Sequence, residues 1–214
     1  MYITVSDDQN NRVKEIFKAL KEHSAFLVLL LIMLLGMLCG SISIHKLQEP
    51  YSQFIGKWFD SFLSEKINSS FFDLFFSSFL VSVLFIAVIV VSSIGISGIP
   101  ILPLAVFFRG FCTCALFGLL YREYSLQGIA FAGLLLLPSF LCFNFLLLLI
   151  SGDALKLSFD FLHLVKNNGS ETMALKAVLI SFFRKILYST VAVTVINVAE
   201  ALFTVCFIKY FNFN

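Results

Sequence analysis

The feature that most constrains this chain is a long run of apolar residues without charge, repeated along the sequence. The first run extends from Ser24 to Ile44 and has no charged residue between His23 and His45. The hydrocarbon core of a bilayer is about 30 Å thick and an α-helix rises about 1.5 Å per residue, so a helix needs about 20 such residues to cross it. The run therefore predicts a transmembrane helix.

Four further runs of similar length predict an all-α, polytopic membrane bundle with about five transmembrane helices. Gly95, Gly98, Pro100 and Pro103 are expected to break the helix between the second and third runs. The short links around the third run predict a compact hairpin unit. The predicted spans are residues 24–44, 72–94, 101–120, 128–150 and 186–208, forming one transmembrane domain over residues 24–208.

The composition excludes other classes of protein. Hydrophobic residues make up 59% of the chain and charged residues 13%, whereas soluble domains average about 45–50% and about 25%. This excludes a soluble globule and a disordered chain. A net charge of +2 is too small to indicate a nucleic-acid partner, so membrane lipid is the expected surrounding. The cysteines stand in apolar runs and are expected to pack rather than form disulfides: Cys39, Cys112, Cys114, Cys142 and Cys206.

The distribution of Lys and Arg predicts the orientation of the bundle. An N-terminus in the cytoplasm places 9 basic residues on the cytoplasmic side and 5 outside, with Arg109 in the membrane. Cytoplasmic loops are enriched in basic residues. We therefore predict that residues 1–23 form a cytoplasmic N-terminal segment and that the C-terminus lies outside.

Two segments outside the spans have the periodicity of amphipathic helices. In residues 45–71, predicted to be external, Tyr51, Phe54, Trp58 and Phe62 recur on one helix face. This helix is expected to lie in the outer interface, and its apolar face is either a docking surface for a partner or a simple anchor. Residues 151–185 are predicted to form a cytoplasmic amphipathic segment in two pieces.

Charged and polar residues inside the spans are the main candidates for function. An intramembrane charge costs about 2.5–3.5 kcal/mol on insertion scales, so it indicates a role. Arg109 in the third span and Glu200 in the fifth are both expected near mid-depth, where they could pair. Asn144 and Asn197 could join them. Such a group would either fix how the fifth span docks or form a proton or substrate site.

The sequence contains no recognisable catalytic motif, so we expect neither an enzyme nor a metal or cofactor site. Gly95-Ile96-Ser97-Gly98 matches the surroundings of an intramembrane serine nucleophile. That chemistry needs a base within hydrogen-bond reach, and His23, His45 and His163 all lie outside the predicted spans. A flexible turn is the better interpretation.

A set of Gly, Pro and Arg motifs runs from the end of the second span into the fourth, and Asn197-Val198-Ala199-Glu200 follows in the last. Over about residues 72–150 this pattern resembles the stage II sporulation protein M family. The motifs are Ser92-Ser93-Ile94-Gly95, Gly98-Ile99-Pro100, Phe107-Phe108-Arg109-Gly110-Phe111 with Gly118, Gly128-Ile129-Ala130-Phe131 and Leu137-Pro138.

The resemblance implies a non-catalytic membrane scaffold of the septal peptidoglycan-hydrolase complex that acts in forespore engulfment. Its implied partners are cell-wall hydrolases similar to sporulation protein D, a lytic transglycosylase, and sporulation protein P, an amidase and endopeptidase. The implied location is the bacterial cell membrane at the sporulation septum. The alternative function is a small transporter or channel that uses Arg109 and Glu200, and a homo-oligomer is left open.

Overall fold

The computed structural model describes residues 24–46, 69–166 and 172–207. All regular structure within these ranges is helical, which confirms the all-α class for the part of the chain described. The predicted segment 1–23 and the docking residues Tyr51, Phe54, Trp58 and Phe62 lie outside the described ranges. The elements are α1 Ser24–His45, α2 Phe71–Ser93, α3 Gly98–Phe131, a π-helical segment Ala132–Leu136, α4 Leu137–Lys166 and α5 Thr172–Phe207.

Four stretches of the described residues are long and apolar enough to cross a membrane, as a multi-pass membrane protein requires. They are Ser24–His45, Phe71–Ser93, Gly98–His163 and Val178–Phe207. The third stretch is 66 residues long, about three times the length that one crossing needs.

The long third stretch reverses direction at Ser125. This residue has φ 49° and ψ −127° inside a region that is helical on both sides. Arg109 Nε lies 3.3 Å from Asn144 Oδ1 although 35 residues separate them, and a straight helix would hold them about 50 Å apart. The part of α3 before Ser125 and the helix after it therefore form an antiparallel hairpin.

The helices extend beyond the predicted spans. The predicted third and fourth spans, 101–120 and 128–150, are joined by residues that are helical up to and after Ser125. Helix α4 continues to Lys166 and α5 begins at Thr172, well before the predicted start at residue 186. The length of an apolar run corresponds to the thickness of the hydrocarbon core. Helical hydrogen bonding continues beyond it into the polar residues that follow.

The predicted break after α2 is shorter than expected. Helix α2 ends at Ser93, and Gly95 has a φ of +146° that favours glycine. Helix α3 already begins at Gly98, so Pro100 and Pro103 lie in its first two turns and not in the break. Pro100 fits there because the first four N–H groups of a helix have no intrahelical acceptor. Pro103 lies inside the helix, where it removes one intrahelical donor.

Glycines allow α1 to contact α3 backbone to backbone, with the two helices running parallel. A Cβ atom on Gly36 would overlap the carbonyl oxygen of Phe107, and one on Gly40 would overlap that of Phe111. On α3, a Cβ atom on Gly110 would overlap the carbonyl oxygen of Met33. Small residues at fixed spacing permit such close approach in membranes.

The first part of the predicted cytoplasmic segment 151–185 belongs to the bundle core. Ser151, Ala154 and Ser158 are fully buried on one face of α4. Ser158 Oγ donates a hydrogen bond to the Ser93 carbonyl oxygen at 3.5 Å. The amphipathic pattern of this segment thus reflects packing on the junction of α2 and α3.

Helix α5 runs antiparallel to α2. Its Asn197 and Glu200 face Ser82 and Ser78 respectively. Nearer the start of α5, Lys185 Nζ lies 2.7 Å from Asp153 Oδ2 of α4. Helix α5 is thereby in contact with α2 at one end of the bundle and with α4 at the other.

Candidate functional site: a polar cavity inside the bundle

A cavity of about 270 Å³ lies among α2, α3, α4 and α5. It reaches the end of the bundle where α2 begins, since Ser69 and the exposed Asp73 belong to its wall. Ser70 and Asp73 form a capping box that starts α2 at this mouth. The polar lining consists of Ser69, Asp73, Ser77, Ser78, Ser82, Arg109, Ser139, Asn197 and Glu200.

Arg109 supplies the positive charge of the cavity. Its Nε donates to Asn144 Oδ1 at 3.3 Å. The guanidinium carbon lies 5.2, 5.3 and 4.7 Å from the ring centroids of Phe85, Phe140 and Phe143. Aromatic faces attract cations within about 6 Å, so these three rings and one amide hold the guanidinium in place inside an otherwise apolar region.

Glu200 supplies a buried negative charge from the opposite wall. Its side chain is 7% exposed, and its Oε1 accepts a hydrogen bond from Ser78 Oγ at 3.5 Å. It lies within electrostatic range of the Arg109 guanidinium. The cavity therefore contains one buried charge of each sign.

Helical spacing explains why these residues meet. Asn197 and Glu200 are three residues apart on α5, and Ser78 and Ser82 are four apart on α2, so each pair lies on one helix face. Asn197 Oδ1 faces Ser82 Oγ at 3.5 Å. Two faces of antiparallel helices thus place four polar side chains against the cavity.

Two buried amide groups at the site carry donors without a partner in the described part of the protein. They are the Nδ2 atoms of Asn144 and Asn197, whose side chains are 2% and 3% exposed. A buried donor without a partner costs about 1–3 kcal/mol. Because Asn197 lines the cavity, a ligand there could satisfy its amide.

The structure brings together three of the four predicted intramembrane residues. Arg109, Asn197 and Glu200 line one cavity, and Asn144 holds Arg109 from behind. A direct contact between Arg109 and Glu200 stays a prediction. The serines of the wall, such as Ser139, were not predicted, because serine is tolerated in apolar helices and gives no distinct signal.

The remaining predicted residues do not meet at this site. Gly95, Gly98, Pro100 and Pro103 lie at the junction of α2 and α3, and none of them lines the cavity. All five cysteines are free thiols; Cys112 and Cys114 are half-buried, whereas the predicted packing does not hold for Cys39, Cys142 and Cys206, which are exposed. Within the described residues, no group of His, Cys, Asp and Glu side chains could hold a metal ion.

The residues that carry the family resemblance lie at helix contacts or in the cavity. Gly110 permits the approach of α1, Gly98 meets Ser158, and Arg109 and Glu200 lie in the cavity. Comparison of the chain with protein-family models, with curated proteins and with solved structures gives no match. The resemblance to the stage II sporulation protein M family therefore stays a prediction from these motif residues.

Proposed function

We propose that the chain crosses the membrane five times, with its N-terminus in the cytoplasm. The reversal at Ser125 supports two crossings within Gly98–His163. Of the described basic residues, Lys156, Lys166, Arg184 and Lys185 lie away from Ser125, whereas Lys46 and Arg122 lie toward it. This excess supports the orientation. A reporter attached at residue 125 should then face outside, whereas one attached at residue 166 should face the cytoplasm.

We propose that the protein is a small transporter or channel that admits a polar solute into this cavity from outside. The observation that carries the proposal is the placement of Arg109 and Glu200, from different helices, on one cavity inside the bundle. A charge pair used only for docking would be expected in a filled interface. Here the charges border open space, together with hydroxyl and amide groups.

The packing of the bundle supports the same proposal. Helices α1 and α3 are in backbone contact through glycines, so they form a rigid pair. By contrast, the hydrogen bonds from α2 to α5 at the cavity are long, at 3.5 Å. A small shift of α5 at this end of the bundle would change the opening of the cavity, as gating requires.

The test is uptake of a panel of small labelled solutes by proteoliposomes. We expect Glu200→Gln and Arg109→Gln to reduce uptake at least tenfold, because each removes one charge from the cavity. The control is Glu123→Gln, which makes the same chemical change at an exposed residue outside the cavity and should leave uptake unchanged. Uptake that is insensitive to both cavity variants would contradict the proposal.

A second candidate function is the scaffold that the motif resemblance implies, at the bacterial cell membrane and the sporulation septum. The observation that favours it is the set of Gly and Pro motifs, which form the α1–α3 contact and the α2–α3 junction. Its partners would be wall hydrolases similar to sporulation proteins D and P, docked on the predicted external segment of residues 45–71.

Affinity capture from the native host during sporulation tests the scaffold function. Recovery of an amidase and a lytic transglycosylase is expected, and making Phe54, Trp58 and Phe62 polar should abolish it. Glu200→Gln should leave the capture intact. If no wall enzyme co-purifies while those enzymes are expressed, the scaffold proposal fails.

A further inference from the structure

We infer that the cavity binds a small zwitterionic group, an acidic oxyanion together with an ammonium, carried on an apolar body. This inference rests on the proposed function and specifies its substrate class. A free apolar amino acid and the head group of phosphatidylethanolamine share this chemistry. The acidic group would bind at Arg109 and the ammonium at Glu200.

The donors around Arg109 select an acidic oxyanion. A guanidinium has five N–H donors in a fixed fork that fits a carboxylate or phosphate, and Nε alone is used by Asn144 in the hydrogen bonds described. Asn197, 97% buried, adds an amide donor without a partner on the same cavity. Within the described residues, the terminal guanidinium nitrogens of Arg109 and the Asn197 amide have no hydrogen-bond acceptor, and an acidic oxyanion supplies several.

The carboxylate of Glu200 and the hydroxyl groups near it select an ammonium. Ser78 Oγ already donates to Glu200 Oε1, which keeps the carboxylate oriented along the cavity wall. Asp73 at the mouth adds a second negative charge on the path from outside. Both acidic side chains lie on the wall that the ligand would contact, so an ammonium beside its acidic group is favoured there.

The rest of the wall selects an apolar body of modest size. Leu116, Leu120, Phe131, Leu136 and Phe140 line the cavity beside the charges. Its volume of about 270 Å³ is just below the range of about 300–1,000 Å³ that is usual for drug-sized ligands. A molecule with a short aliphatic chain or one ring matches both the size and the polarity.

The experiment compares three probes of one shape by calorimetric titration of the purified protein in detergent. Leucine carries both charges, isocaproate lacks the ammonium, and isoamylamine lacks the carboxylate. Valine and phenylalanine are titrated beside leucine to cover the size range. We expect each single-charge analogue to bind about 10- to 100-fold more weakly than its zwitterion, the usual effect of losing one charged hydrogen bond.

Two cavity variants separate recognition from folding. In Arg109→Gln, leucine should bind no more tightly than isoamylamine. In Glu200→Gln, leucine should bind no more tightly than isocaproate. A variant that merely misfolds would bind none of the three probes. The informative result is therefore the loss of the preference for leucine while a single-charge analogue still binds. Glu123→Gln is the matched control and should keep the preference of the unaltered protein.

The source of the zwitterion is decided by phosphatidylethanolamine in nanodiscs, with phosphatidylglycerol as the lipid that lacks an ammonium. If phosphatidylethanolamine displaces leucine and phosphatidylglycerol does not, the ligand is the lipid head group. Binding of phosphatidylethanolamine to a protein that does not bind leucine supports the same conclusion. Leucine binding without this competition supports a free solute. If no zwitterion binds, or if single-charge analogues bind equally well, the inference is wrong. Uptake of other solutes that still depends on Arg109 and Glu200 would then continue to support the proposed transport function.

Discussion

At the scale of single residues, Ser125 occupies a backbone conformation that normally belongs to glycine. Its φ of 49° and ψ of −127° match the first central residue of a type II′ turn. Sparsely populated conformations of this kind cost about 1–3 kcal/mol for a residue with a Cβ atom. Ser125 is exposed, so a change of its side chain disturbs little else.

We therefore expect Ser125→Gly to raise the free energy of unfolding by about 1 kcal/mol. The measurement is thermal unfolding in detergent followed by circular dichroism. Ser189→Gly, inside α5, is the matched control and should lower stability by about 0.5 kcal/mol, the usual effect of glycine in a helix. Equal loss of stability in both variants would show that Ser125 is not strained.

The residues that matter most at the site were partly visible in the sequence. Arg109 and Glu200 could be identified because charges are rare and costly in lipid. Ser82 and Ser139 could not, because serine is tolerated in membrane helices and only the three-dimensional arrangement turns its hydroxyl toward a cavity. The ring contacts of Arg109 were hidden for the same reason, since the chain has 27 phenylalanines and, among those the structure describes, three surround it.

At the scale of helices, the contact between α1 and α3 is the most constrained part of the bundle. Gly36→Ala would place a methyl group on the Phe107 carbonyl, which belongs to the backbone and cannot move aside. We expect a loss of stability of about 1–3 kcal/mol, as for other overpacked sites. The thermal unfolding assay used for Ser125 measures it.

Gly152→Ala provides the matched control for this contact. Gly152 lies inside α4, where the nearest atoms to an added Cβ belong to Phe26 at about 3.9 Å, an ordinary contact distance. The substitution should be neutral or raise stability by up to about 1 kcal/mol, because alanine favours helix. If Gly36→Ala is equally harmless, the close approach of α1 is not required.

Helix ends were harder to predict than helix existence. Apolar runs located the helices that are long and apolar enough to cross a membrane in the described part of the chain, but α4 and α5 extend through Asp153 and Lys185, which pair with each other. A charged residue at this depth ends an apolar run in the sequence but does not end the helix. The turn at Ser125 carries no proline, and its glycine, Gly128, lies three residues later inside the helix, so its position follows from packing rather than from a local signal.

At the scale of the whole molecule, the proposed transport function requires that the polar cavity be open to the outside. The cavity mouth lies at the start of α2, beside Asp73. Helix α4 then has one surface that faces the cavity and another that faces lipid. Ser139 is 9% exposed and faces the cavity, whereas Leu141 is 58% exposed and would face lipid.

The most direct test labels single cysteines, introduced into a variant without the five native ones, with a charged thiol reagent added outside intact cells. Such a reagent needs water to reach a thiol and to ionise it. We predict that Ser139→Cys is labelled and Leu141→Cys is not, although the latter has the greater exposed surface. Labelling of Leu141→Cys alone, or of neither position, would contradict a cavity open to the outside.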